Sequence, residues 1–163
     1  MLSAGCDEDD GDEPTGATDS GCPVEPARVG ELLGYEVVVD ERTATTEACR
    51  FEPADTQGDE GNALDEGEPS LEGAHVLVVQ RRIAGDGFDA ARDAVEVDVG
   101  PTEALPDDLV DGGRGWIARV GRVVQVSAAR DRRLVQVTVA EPTLDAEAAE
   151  AVALDLAVEA LDS

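Results

Sequence analysis

The sequence predicts an α+β domain, an antiparallel sheet with a C-terminal helix packed on one face. Three observations carry this. Between Trp116 and Ala140, Val-rich alternating runs flank Gly121-Arg122 and Asp131-Arg132, as strands joined by two-residue hairpin turns would. From Leu144 to Leu161 an Ala- and Leu-rich run has apolar residues at helical spacing. The chain has 163 residues, enough for one core and too few for two.

In chain order, residues 1–21 read as a tail and residues 22–163 as a single domain. Val24, Val29, Leu32 and Leu33 are the apolar positions of a first helix. Pro26 suits its first turn and Gly34 its end. Tyr35–Val39 and Glu47–Glu52 read as strands. Residues 53–72 form a long acidic loop rich in Gly and Pro. Ala74–Ile83 alternates Val76 and Val78 against Leu77 and Val79, the pattern of a central strand buried on both faces. Phe88, Ala91, Arg92 and Val95 mark a short helix, and Pro101 and Pro106 break the stretch after it.

In the meander, two-residue turns pair Val120 with Val123 and Arg130 with Arg133. Ile117, Val124, Val126, Ala128, Val135, Val137 and Val139 then share the core face. Trp116, Ala118, Val120, Val123, Gln125, Ser127, Leu134, Gln136 and Thr138 share the other, more polar face. A one-residue slip would exchange the two sets. Thr143 is expected to cap the final helix. Its stripe Val152, Ala153, Leu156 and Ala160 should lie on the core face, with Glu147, Glu150, Asp155 and Glu159 turned away.

Acids number 38 and arginines 12, with no lysine, so the formal charge is −26. Such a chain repels nucleic acid and anionic headgroups, which excludes global attraction to either. With 42% hydrophobic residues it can still bury a core. With aromatics at 2%, that core must be Val, Leu, Ile and Ala. No apolar run approaches the ~18 residues of a membrane span. Arg-only basicity with abundant Asp, Val, Ala and Gly fits a high-GC genome; dense carboxylates also fit salt adaptation, and composition does not separate the two.

The chain opens Met1-Leu2-Ser3-Ala4-Gly5-Cys6, followed by an acidic tract. Small residues before a cysteine and a polar run after it resemble the end of a bacterial lipoprotein signal, whose cysteine takes lipid. Leu2 stands one position earlier than the aliphatic residue of that pattern, and the charged and apolar signal regions are missing. The resemblance therefore implies a start upstream of Met1; the alternative is an ordinary tail with one free thiol. Of the three cysteines, Cys22 and Cys49 remain once Cys6 is lipidated. Paired, they would staple the first helix to the strand Glu47–Glu52, and the bond would persist only outside the reducing cytosol. Unpaired, they are two free thiols. Between Cys6 and Cys22 lie seven acids and no base. As a tether spanning ~22 Å, stretched further by self-repulsion, this tract would hold the domain off an anionic membrane.

This order of features is similar to that of small actinobacterial lipoproteins of unknown function, which share two cysteines and a helix ending in Leu-Gly. The features are Cys6, an acidic tether, Cys22 before a helix ending Leu32-Leu33-Gly34, Cys49 before an aromatic, a central strand, a short helix, a Val-rich hairpin and an Ala-rich last helix. More distantly the layout resembles the extracytoplasmic sensor domains of actinobacterial serine/threonine kinases. The likeness covers residues 6–161. It implies a disulfide-stapled α+β domain, lipid-anchored at the outer face of the cytoplasmic membrane, and it transfers no catalytic residue.

Candidate sites are few. Asp55, Gln57, Asp59 and Glu66 approach calcium-loop spacing, but Glu60 stands where that loop needs glycine. His75 is the single histidine, and Ser127 has no evident base. No metal ligand set or cofactor is expected. Gly112-Gly113-Arg114-Gly115 precedes a strand rather than opening a helix, so it lacks the amides that cradle phosphate. Charge is more informative. Residues 112–140 hold six arginines against Asp131 alone, a local charge of +5. Arg81 and Arg82 join them if their strand neighbours the meander. One reading pairs these arginines with surrounding acids. The other makes Arg122, Arg130, Arg132 and Arg133 an anion or partner site, with Trp116 as its aromatic anchor. Its partner would be an acidic protein segment or an anionic envelope component. The leading expectation is a non-catalytic, lipid-anchored binding or accessory module. The alternatives are an acidic interaction domain inside a salt-adapted cell and an enzyme whose site is not evident.

Overall fold

The structure, a computed structural model, describes residues 21–54, 71 and 73–163. Cys6, the acidic tract up to Ser20 and the candidate calcium loop (Asp55, Gln57, Asp59, Glu60, Glu66) lie outside the described residues. The elements in order are α1 (Pro26–Leu33), β1 (Val37–Val39), β2 (Ala48–Pro53), β3 (His75–Arg82), α2 (Gly87–Asp98), β4 (Thr102–Ala104), β5 (Arg114–Val120), β6 (Val123–Arg130), β7 (Arg133–Ala140) and α3 (Ala146–Asp162). The strands form one sheet in the order β1-β2-β3-β7-β6-β5-β4. Every pair is antiparallel.

The meander has the register its turns predict, with Val120 opposite Val123 and Arg130 opposite Arg133. The core face follows from it. Ile117, Val124, Val126, Ala128, Val135, Val137 and Val139 join Val76, Val78, Cys49 and Phe51 under α3. Helix α3 contributes Val152, Ala153, Leu156, Ala157 and Ala160 to the same cluster. Strand β3 is interior, between β2 and β7, as its two-sided apolar pattern requires. Gly34 ends α1 at φ 82, where a side chain would be strained, and its N–H bonds Gly30 O at 2.8 Å.

Three features differ from the sequence reading. Thr143 does not cap α3. Asp145 does, its side chain accepting from Ala148 N at 2.8 Å, because Thr143 is engaged by Glu141 one turn earlier. The stretch between Pro101 and Pro106 is not merely broken. It contains the short edge strand β4, three residues pairing with β5, a length that proline at its flanks permits. The expected polar face is not left open at its β5 end. Helix α2 packs there through Phe88, Ala91 and Val95, over Trp116, Ala118, Ala129 and Leu134. The fold therefore has three layers at this end, with β5 and the adjoining ends of β6 and β7 covered on both sides.

Two cross-links hold the N-terminal segment. Cys22 and Cys49 form a disulfide, Cα to Cα 5.8 Å, which ties the chain before α1 to β2. Glu141, at the end of β7 and 2% exposed, accepts hydrogen bonds from Tyr35 Oη, Thr143 N and Thr143 Oγ1. That carboxylate is buried but not orphaned, which is the condition for tolerating it there. Burial, and then the bond to Glu141, raise the Tyr35 pKa well above the usual tyrosine value.

Three outcomes are expected. Leu156 is fully buried, so Leu156→Ala should cost about 2–5 kcal/mol, read from the urea midpoint. Reducing Cys22–Cys49, which closes 27 residues of separation, should cost about 3.5 kcal/mol, measured by denaturation with and without reductant. Tyr35 is the single tyrosine, so phenolate absorbance reports on it alone. Above pH ~10 the unfolded chain loses this proton while the folded chain retains it, so stability must fall as pH rises. Phenolate should therefore appear together with loss of circular dichroism. A folded protein titrating at the ordinary tyrosine value would contradict the buried contact.

Candidate functional site

The expected aromatic anchor is not at the surface. Trp116 is 1% exposed. Its ring meets Phe88 of α2 edge-on at 4.6 Å between centroids, and Arg114 stacks over Phe88 at 3.8 Å. Strand alternation does put Trp116 on the face away from α3, as its register requires. What alternation alone does not reveal is that α2 lies on that face. A residue buried there packs the second core and is not a contact residue for a partner.

Arg122 also leaves the proposed set. It occupies the β5–β6 turn, at the opposite end of β6 from Arg130, and donates to Pro142 O at 2.7 Å. An eight-residue strand separates the two by roughly 24 Å, beyond the reach of one small site.

Arg130, Arg132 and Arg133 do come together, and β3 brings Arg81 and Arg82 to them. Arg82 is directly opposite Arg133, and Arg133 is directly opposite Arg130. Ile83 N bonds Arg132 O at 2.8 Å, which continues the pairing around the turn. The five arginines line one groove of about 560 Å³, with Gln80, Thr46 and Leu161 beside them and Glu47 and Asp131 also at its wall. Like charges directly opposite each other on neighbouring strands destabilise a sheet. Here three occur in a row across three strands.

Two of the five have structural employment. Helix α3 carries no basic residue in its last turn, so the negative end of its dipole is met from the sheet. Arg130 Nη2 donates to Leu161 O at 3.0 Å and to Asp162. That carboxylate holds the Arg130 proton more tightly than usual. Arg133 donates to Gln80 Oε1 at 2.6 Å and reaches Ser163 Oγ at 3.4 Å. Gln80 in turn donates to Thr46 O at 2.7 Å, so this amide links Arg133 to the segment that leads into β2.

The other three are different. Among the described residues, Arg28, Arg42, Arg50, Arg92, Arg114, Arg119 and Arg130 form ion pairs with carboxylates. Arg81, Arg82, Arg122, Arg132 and Arg133 form none there. Four of these five line the groove. Arg132 sits at φ 68 and Asp131 at φ 50. A two-residue turn with both residues in this region normally takes Asn-Gly or Asp-Gly. An arginine there pays a backbone penalty of about 1–2 kcal/mol, and it projects a charge from the tip of the groove.

The remaining candidates are placed elsewhere. His75 Nδ1 lies 2.9 Å from Gly73 O, at the other end of β3. Ser127 is fully buried and accepts from Gln136 Nε2 at 3.2 Å. Gly113 and Gly115 are packing positions. An added Cβ would come within 2.4 Å of Ala129 O and 2.6 Å of Ser127 O, so no side chain fits where this strand meets β6. Among the described residues no group of three or more His, Cys, Asp or Glu could hold a metal ion. The residues that sequence reasoning did not assign to the site are Gln80, Thr46 and Glu47. Their signal is topological, since it requires knowing that β2 and β7 flank β3. No protein-family model and no curated protein matches this chain.

Proposed function

We propose that this protein is a non-catalytic binding module of the cell envelope, held at the outer face of the cytoplasmic membrane by lipid on Cys6, with the arginine groove as its anion-binding site. One observation carries the binding part of this reading. A chain of charge −26 gathers five of its twelve arginines at one sheet end, and leaves four of them without a carboxylate among the described residues. A structural role would pair them, since acids outnumber arginines threefold. The Cys22–Cys49 disulfide supports a location outside the reducing cytosol. The small residues before Cys6, and the acidic tract that follows, support the anchor.

Two measurements test this. Calorimetric titration at low ionic strength should show binding of sodium tripolyphosphate or of an octaglutamate peptide. The variant R81S/R82S/R132S removes arginines with no described structural partner, so its melting temperature should not fall. Its affinity should drop by about tenfold or more, each charged hydrogen bond contributing about 1.5–3 kcal/mol. Replacing Arg130, Arg132 and Arg133 by serine should weaken binding too, but it also strips the cap of α3. Unchanged affinity in the first variant would remove the groove as the site. Mass spectrometry of the native protein should find lipid on Cys6; three reduced, unmodified sulfurs would remove the envelope reading.

A further inference from the structure

We infer that the arginine groove selects a compact, phosphate-dense anion, a free diphosphate or oligophosphate group, over an acidic polypeptide or a long polyanion. This rests on the anion-binding reading and specifies its ligand.

The first argument is charge density. Arg82, Arg133 and Arg130 occupy directly opposed positions on three adjacent strands. Strands lie about 4.8 Å apart, so the row spans only about 10 Å. Arg132 stands in the turn at the end of that row, while Arg81, opposite Leu134, alternates to the other face of the sheet end. An extended acidic peptide presents same-face carboxylates about 6.6–7 Å apart. It would bring about two charges to a row whose arginines stand only about 4.8 Å apart. Linked phosphoryl groups share a bridging oxygen and concentrate several charges and many acceptor oxygens in the same length.

The second argument is fit. The groove volume of about 560 Å³ lies within the range of small-ligand sites, roughly 300–1,000 Å³. Guanidinium forks pair two N–H groups with two oxygens of one phosphoryl group. Arg82 and Arg132 have no side-chain partner among the described residues, so their forks are open to a ligand, whereas Arg130 is committed to Leu161 O, Asp162 and Asp111 O, and Arg133 is held in place by Gln80 and Ser163. Arg133 is thus ordered before a ligand arrives, and its ordering adds no cost to binding.

The third argument is the surroundings. Outside the groove the described arginines, except Arg122, are matched by carboxylates, and the chain as a whole is strongly acidic. Attraction is thus confined to a patch about one Debye length across, about 8–10 Å at moderate salt. A long polyanion would gain nothing beyond the patch and would meet repulsion there.

The experiment uses the full chain and five probes in parallel calorimetric titrations. These are pyrophosphate, tripolyphosphate, long-chain polyphosphate, octaglutamate, and vesicles carrying an isoprenyl diphosphate lipid. Pyrophosphate and tripolyphosphate should bind one per chain, about tenfold or more tighter than octaglutamate. Long-chain polyphosphate should bind no tighter per chain than tripolyphosphate. The variant R82K/R132K/R133K keeps the charge but loses the forks; it should weaken pyrophosphate about tenfold. Equal pyrophosphate affinity in that variant would overturn the fork argument. Tighter binding of octaglutamate or of long-chain polyphosphate would overturn the inference while leaving an anion site in place. Binding to the vesicles without binding to free pyrophosphate would assign the diphosphate to a lipid headgroup and overturn a free ligand. No binding by any probe would remove both the inference and the reading beneath it.

Discussion

Val126 and Val137 face each other across β6 and β7, both fully buried beneath α3. Behind them, on the reverse of the same strands, Ala129 and Leu134 are buried beneath α2. The constraint on these two strands is that both faces must be apolar where a helix covers them and paired where none does. A shift of one residue in the β6–β7 register would move Val124, Val126, Val135 and Val137 out of the larger core and leave α3 facing glutamine and serine. Burial on two sides thus locks the hairpin, and the hairpin positions everything at its ends.

The groove follows from that lock. Because Arg130 must oppose Arg133, and because β3 pairs with β7 as far as Arg82, three arginines are forced into one row. Helix α3 crosses the core face and ends above that row, so its terminal carbonyls take up part of the positive charge through Arg130. The sheet end therefore combines a structural task, capping a helix that has no cation of its own, with four guanidinium groups that no described carboxylate neutralises.

The hairpin turns could be read directly, since Gly121-Arg122 and Asp131-Arg132 interrupt clean alternation, and alternation states which residues share a face. Helix α1 was readable from Pro26 and Gly34 for similarly local reasons. Local sequence does not single out the cap of α3, because Thr143 and Asp145 are both good capping types. The choice between them depends on Glu141, whose partners are remote in sequence. Alternation gives the face of Trp116 but not its environment. The amphipathic signal of α2 says that Phe88, Ala91 and Val95 are buried, but not against what. Arg81 and Arg82 could be attached to the site only on the condition that β3 adjoins the meander, which local pattern does not state.

From residue order alone came the elements other than β4, the meander register, the two faces of the sheet and the local excess of arginine. All of these depend on contacts between residues close in the chain, or on a periodicity of two or 3.6. The partner of β3, the cover supplied by α2, and the meeting of Arg81 and Arg82 with Arg130, Arg132 and Arg133 came from packing. Each joins residues tens of positions apart, and such pairings are selected by how whole faces fit together, a competition that no short window of sequence contains.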